Sequence, residues 1–264
     1  MTNILHQILA SRKKSLAKQI DLFERLVKTF QISSRITLSE NIGKQGKISI
    51  ISEIKPSSPS LGSIRSNINV SKVAEEMENA GVIGLSILTE PKYFNGSFEN
   101  LMEAVNATKI PCLMKDFVFD ESQLRLAKKI GATNILLINQ LGSLNNLYEL
   151  AIQYDLEPLI EIHDKSELKD IESLLEIGHI PKLIGVNNRN LNNMLIDLNT
   201  SKELIPKIKE IVGNKTCVIS ESGISTKDDI NFLLPYKADA FLIGSSIMQS
   251  ENIKEKIHEL RGGS

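Results

Sequence analysis

The stretch Ile48-Ser49-Ile50-Ile51-Ser52-Glu53-Ile54-Lys55-Pro56 decides how the rest of the chain is read. It is a short β-branched run with no clean polar face until its end. There Glu53 and Lys55 share parity and point to one side, above Ser49 and Ile51. A strand of this kind is buried on both faces and belongs in a parallel sheet covered by helices. It ends in Glu53-Ile54-Lys55-Pro56, which is not the G-x-G-x-x-G turn that would open a doubly wound dinucleotide-binding sheet.

Working outward, similar runs recur at Val82–Leu88, Cys112–Lys115, Asn134–Ile138, Pro158–Glu161, Leu183–Val186, Cys217–Ser220 and Ala240–Ile243. Helical spacing separates them at Val70–Ala80, Phe98–Thr108, Glu121–Ile130, Ser143–Tyr154, Lys165–Ile177, Ser201–Val212, Lys227–Leu234 and Glu251–Leu260. Eight strands alternating with eight helices leave about 27 residues per unit, the allowance of an eightfold barrel. The expected fold is therefore α/β: a (β/α)8 TIM barrel with an N-terminal helical extension. One domain is expected over residues 1–264, with residues 1–46 as the extension. In that extension Ile4, Leu5, Ile8, Leu9, Leu16, Ile20, Phe23, Leu26, Val27 and Phe30 form an apolar stripe. Arg12, Lys13, Lys14, Lys18 and Lys28 are read as its polar face, and Ser33–Gln45 as a polar connector.

Composition narrows the function. The chain carries 31 basic and 32 acidic residues, a net charge of −1, which gives no bulk attraction to nucleic acid or to an anionic membrane. No segment approaches the roughly 18 to 20 consecutive apolar residues of a membrane span, and no signal-peptide core is present. The two cysteines, Cys112 and Cys217, lie in apolar runs and read as buried thiols of a reducing compartment. A cytoplasmic location is expected. The four histidines have no metal-ligand spacing; His163, near a strand end, is read as a solvated loop residue. No metal and no cofactor are expected.

In a barrel of this kind the site lies at the C-terminal strand ends. Those ends carry Glu53 and Lys55, Lys115-Asp116, Glu161, Asn187 and Arg189, and Glu221-Ser222. Charges that end otherwise apolar strands are costly unless they meet one another, solvent or a ligand. Together they suggest acid–base work on an anionic substrate, with a lysine whose pKa is lowered by neighbouring cations as the acid. After the seventh and eighth strands come Glu221-Ser222-Gly223-Ile224-Ser225 and Gly244-Ser245-Ser246. These turns, with a short helix beginning near Ser245, suit a phosphate group. The residues alone leave isomerase, aldolase and lyase open.

The chain also resembles a known family. Ser52-Glu53-Ile54-Lys55 with Ser58-Pro59-Ser60, Leu88-Thr89-Glu90 with Tyr93-Phe94-Asn95-Gly96-Ser97, and Leu113-Met114-Lys115-Asp116-Phe117 are similar to motifs of indole-3-glycerol-phosphate synthases. So are Leu159-Ile160-Glu161, Ile184-Gly185-Val186-Asn187-Asn188-Arg189-Asn190-Leu191, Ser220-Glu221-Ser222-Gly223-Ile224 and Leu242-Ile243-Gly244-Ser245-Ser246. The motifs come in order from Ile48 to Met248, and the helical extension is also a family feature. The resemblance implies a carboxy-lyase of tryptophan biosynthesis. It would convert 1-(2-carboxyphenylamino)-1-deoxyribulose 5-phosphate to indole-3-glycerol phosphate, carbon dioxide and water.

By the same resemblance Lys115 is the general acid at the ketone oxygen and Glu161 stabilises the cationic intermediate or assists dehydration. Glu53 orients Lys115, and Lys55 contacts substrate and shares proton transfer, in a division left open. Asn187 and Ser222 hold the ribulose-derived hydroxyls, with Glu221 adjacent. Ser222, Gly223, Gly244 and Ser245 hold the phosphate, while Ser58 and Arg189 steer the carboxylate. With no Trp in the chain, Phe94 and Phe117 are expected to sandwich the aromatic ring. Lys55, Lys115 and Arg189 are expected to make the mouth locally cationic. Pro56 and Ser57 depart from the pattern, since many members carry further basic residues there.

The rival readings are another phosphate-binding barrel, such as phosphoribosylanthranilate isomerase or the tryptophan synthase α subunit, and a catalytically silent barrel that binds a phosphosugar. The isomerase would use a Cys and an Asp on strand ends, whereas here strand one ends in Glu53 and Lys55 and neither Cys lies at a strand's C-terminal end; a silent barrel would have lost Lys115 or Glu161, and both are present. Oligomeric state is left open, with a monomer favoured.

Overall fold

Eight parallel strands close into a barrel in the computed structural model, which describes residues 4–26, 36–44, 46, 48–65, 68–191 and 193–263. They are β1 (Ile50–Ile54), β2 (Gly84–Leu88), β3 (Cys112–Lys115), β4 (Asn134–Ile138), β5 (Glu157–Ile162), β6 (Leu183–Asn187), β7 (Cys217–Glu221) and β8 (Ala240–Ile243). Each pairs with its neighbours in sequence, and β1 closes the ring on β8 with Ile51 opposite Leu242. The expected strands are all present, shifted at their ends by at most two residues. Val82 and Ile48, for example, precede the paired ladder.

The alternation of side chains divides the interior in two. Ile51, Leu113, Leu136, Leu159, Leu183, Ile219 and Leu242 pack together along the barrel axis. Ile50, Ile54, Met114, Ile160, Val186, Phe241 and Ile243 face outward into a larger core beneath the helices. Neither face of a strand meets water, which is why these runs read as continuously apolar. Several of the surrounding helices start on side-chain caps. Asn69, Ser97 and Asp120 accept from backbone N–H groups at the starts of Val70–Asn79, Phe98–Ala107 and Glu121–Ile130.

The N-terminal helix α1 (Ile4–Leu26) buries Leu5, Ile8, Leu16, Ile20 and Phe23. Phe23 meets Phe98 edge-on at 5.4 Å, fastening α1 to the outer core. The expected stripe continues to Val27 and Phe30, which with Lys28 lie outside the described residues. Arg12 departs from its expected place: it is fully buried and does not belong to the polar face. It lies four residues from both Ile8 and Leu16, on the stripe itself.

The connector does more than connect, where it is described. The short helix α2 (Leu38–Asn41) closes the bottom of the barrel. Leu38 is fully buried in the axial cluster, its N–H donates to Asn134 Oδ1 at 3.2 Å, and Ser39 N donates to Glu157 Oε1 at 3.0 Å. The end opposite α2 is the open one.

Candidate active site

Lys115 ends β3, and its inward parity carries the ammonium group to the barrel axis. Nζ lies 2.9 Å from Glu221 Oε2, 3.2 Å from Glu53 Oε2 and 4.0 Å from Glu161 Oε2. Lys55 Nζ takes the other oxygen of Glu53 at 2.8 Å. The three carboxylates are almost wholly buried. They come from β1, β5 and β7, at inward positions separated by many residues of sequence.

This geometry overturns one electrostatic expectation. Burial favours the neutral amine, but Glu221, Glu53 and Glu161 outweigh it and hold the Lys115 pKa well above the ordinary lysine range. The expected lowering by neighbouring cations does not occur, because the groups closest to its ammonium are anions. Lys55, Lys115 and Arg189 do not make the mouth cationic by themselves, because they face Glu53, Glu161 and Glu221. Burial would raise the Glu53 pKa, yet Lys115 and Lys55 bring it down to about 2. Glu221 goes the other way: burial lifts it above the usual carboxylate range, with Glu161 adding to the rise and Lys115 opposing it.

Two glycines make room for this cluster. A Cβ on Gly185 of β6 would fall on Glu221 Oε1. A Cβ on Gly244, after β8, would lie 2.6 Å from Glu53 Oε1 and 2.9 Å from its Cβ. Gly244 therefore has a structural duty in addition to the phosphate contact expected of it.

Above the charges lies a cavity of about 450 Å³, a size suited to a small organic ligand. Glu53, Lys55, Ser58, Phe94, Lys115, Phe117, Glu161, Asn187, Arg189, Ser222, Gly223, Gly244 and Ser245 line it, so the structure gathers almost every expected site residue around one space. Glu221 lies beneath it, against Lys115. Ile4, Leu5 and Ile8 of α1 also line the cavity, which the sequence did not indicate.

The loops are set by specific contacts. Glu90 accepts from the backbone N–H groups of Lys92, Tyr93 and Phe94, which folds the β2 loop and places Phe94. The Phe94 and Phe117 rings lie 6.2 Å apart at 38°, within direct contact range, so they form one wall and not two plates a ring apart. Ser222 adopts φ 66° and Gly223 φ 83°, turning the chain sharply after β7. Asn188 secures that turn, donating to Ser222 O and to Ser220 Oγ, each at 3.0 Å. A short helix, Ser245–Gln249, begins where a phosphate-facing helix was expected. After β1, Ser57–Ser58 pairs with Gly62–Ser63 as a small hairpin, and Ser58 Oγ accepts from Leu61 N.

Two residues read otherwise from sequence belong to the surroundings of this site. His163 is not solvated; it is buried, with Nε2 3.2 Å from Glu161 Oε1. Its parity with Glu161 on β5 was the available signal. Asp116 borders the cavity, but its carboxylate is committed elsewhere. It points outward to Arg12, whose Nη2 lies 2.7 Å from Oδ2 and whose Nε donates to Oδ1 at 2.9 Å. The cysteines begin β3 and β7, far from this end; Cys112 is buried and Cys217 only half-buried.

A family model for indole-3-glycerol phosphate synthase matches residues 5–260. The chain belongs to this family. It is 44% identical over 273 residues to the indole-3-glycerol phosphate synthase of Methanocaldococcus jannaschii, covering 97% of this chain and 98% of that protein. The synthase of Aquifex aeolicus is 43% identical over 216 residues, 81% of each chain. That of a Geobacillus species is 36% identical over 261 residues, 97% of this chain and 96% of the other. Among solved structures, a thiamine phosphate pyrophosphorylase from Pyrococcus furiosus superposes with a TM-score of 0.57 at 17% identity. It covers 82% of this chain and 95% of that one, a likeness of fold alone.

Proposed function

We infer that this member of the indole-3-glycerol phosphate synthase family is an active carboxy-lyase of tryptophan biosynthesis. It closes the pyrrole ring of 1-(2-carboxyphenylamino)-1-deoxyribulose 5-phosphate, releasing carbon dioxide and water. The observation that carries the reading is one buried ammonium group, Lys115, ringed by three glutamates at the base of a substrate-sized cavity.

The chemistry is that of a proton donor fixed among anions. The aromatic carbon bearing the carboxylate is a weak nucleophile, so the ketone must gain a proton as the bond forms. Lys115, kept protonated by its carboxylates, is the acid for that step. Loss of carbon dioxide restores the aromatic ring, and the hydroxyl left at the former ketone departs as water after a second protonation. Glu161, ionised and close to Lys115, supports the cationic intermediate. Lys55 and Glu53, joined at 2.8 Å, are placed for the remaining proton transfers. Ser222, Gly223, Gly244 and Ser245 are assigned the phosphate, Asn187 the hydroxyls, and Ser58 and Arg189 the carboxylate. Holding the substrate at both ends turns a floppy chain into a near-attack geometry. The Phe94–Phe117 wall, extended by Ile8 of α1, takes the aromatic end.

The proposal extends to a cytoplasmic monomer built as one domain over residues 1–264, acting on a phosphorylated small molecule without nucleic-acid or membrane partners. The balanced charge supports it. Among the described residues, no helix is long and apolar enough to cross a membrane.

Incubation with the carboxyphenylamino substrate should give indole fluorescence. Lys115→Met should lower kcat at least about 10³-fold with the fold intact by circular dichroism. No product from the unaltered protein would refute the activity, and full turnover by the variant would refute the role of Lys115.

A further inference from the structure

Glu161 is the least tightly held carboxylate around Lys115. Its Oε2 is 4.0 Å from Nζ and has no hydrogen-bond partner among the described residues. Its other oxygen faces His163. The imidazole lies between two carboxylates at ion-pair distance, Nε2 3.2 Å from Glu161 Oε1 and Nδ1 3.6 Å from Glu167 Oε1, with neither ring nitrogen in hydrogen-bond geometry among the described residues. Glu167 is itself braced: it accepts from Asn139 Nδ2 at 3.1 Å, Gln140 Nε2 at 3.1 Å and His163 N at 2.9 Å. An imidazole between two buried carboxylates has every electrostatic reason to carry a charge.

We propose that His163 is a positioning residue whose imidazolium, lying at ion-pair distance between Glu161 and Glu167, fixes Glu161 as the ionised member of the Glu161–Glu221 pair and holds its Oε1 away from Lys115. The proposal rests on the assignment of Glu161 to the reaction and adds the group that sets its charge. Two neighbouring buried carboxylates resist ionising together, and whichever has the better cation keeps its charge. Both share Lys115, but His163 serves Glu161 alone. The shifts agree with that division. Burial opposes charge on His163, yet the two carboxylates raise its pKa to about 10. Burial likewise opposes charge on Glu161, yet His163 and then Lys115 bring it below the usual range, while Glu221 is raised.

The charged groups around this unit are few. Lys115 on β3 and Glu221 on β7 face Glu161 from within the barrel. On the outer side His163 lines an open groove with Asp164, Lys165, Asp197 and Glu203. Asp170 shares the Asn139 amide with Glu167. Of these, Glu161 and Glu167 lie within ion-pair reach of the ring.

The test is the pH profile of kcat in His163→Gln, which removes the charge but keeps a donor beside Glu161. The acidic limb should move up by about one pH unit or more, with kcat at its plateau lowered about tenfold and KM changed little. His163→Ala should show the same limb shift with a larger fall in kcat. Variants that lose activity equally at every pH, with an unmoved limb, would overturn the proposal. If both variants fail to fold, the unaltered enzyme decides through ring chemical shifts of labelled histidine. His163 should stay protonated from about pH 5 to about pH 9, and titration near its ordinary value of about 6.5 would overturn the proposal. Glu161→Gln separates the two claims. Full activity there would remove the underlying assignment, whereas an inactive Glu161→Gln beside an unaffected His163→Gln would remove this proposal alone.

Discussion

Lys115 and Asp116 are chain neighbours with opposite fates. Lys115 turns inward, where one cation meets three carboxylates and oxygens of Glu161 and Glu221 are left without hydrogen bonds among the described residues. Asp116 turns outward to a fully buried Arg12, and both its oxygens are used: by the guanidinium, by Thr89 Oγ1 at 2.7 Å and by Phe117 N at 2.8 Å. The inner cluster is under-satisfied and chemically responsive. The outer one is satisfied and structural. One peptide step separates a site kept ready to exchange protons from a clamp that fixes the N-terminal helix to the strand bearing the acid.

Breaking the outer clamp should have the largest effect on stability. Arg12→Met leaves Asp116 buried without its cation, a change that costs about 3 to 5 kcal/mol in such pairs. Urea unfolding should show that loss, while kcat at a temperature where the variant is folded should fall less than about tenfold. A larger fall in kcat would mean that the clamp also sets the geometry of Lys115.

The inner cluster is sharpened by a variant that alters no charge. Gly185→Ala should push Glu221 out of place and lower kcat about 10- to 100-fold, with a smaller loss of thermal stability than Arg12→Met. Unchanged kinetics would show that Glu221 has room to shift without consequence.

The smallest effect is a slope. Glu221 has a raised pKa in the folded state, so folding favours its protonated form. That contribution is complete below the ordinary carboxylate pKa and is lost as the pH rises through the raised value. Between the ordinary carboxylate pKa and about pH 7, stability should therefore fall more steeply in the unaltered protein than in Glu221→Gln, measured by unfolding at a series of pH values. Parallel profiles would show that folding leaves the Glu221 pKa unshifted.

The barrel and the mouth were legible because both rest on parity and order. Strands buried on two faces leave long apolar runs, and inward positions at their ends carry Glu53, Lys115, Glu161 and Glu221. What the sequence did not disclose depends on packing between distant elements. Arg12 looked like one more basic residue of an amphipathic helix, because its partner lies 104 positions away. His163 looked like a loop histidine, because its parity with Glu161 marks direction and does not show that Glu167 comes back over the ring. The sign of the Lys115 shift was misread for a related reason: composition counts charges, whereas a pKa answers to which of them are close. The Phe pair was placed on the right wall, but its spacing depends on the loop shaped by Glu90.

Gly185 and Gly244 give the cluster an unusual genetic exposure. Each is one base change from alanine, and such a change would leave Lys115, Glu53, Glu161 and Glu221 unaltered in the sequence. A descendant could thus lose most of its activity while every ionisable residue of its mouth survived. In a lineage of this fold, the record of lost activity would then be written at positions that have no side chain to lose.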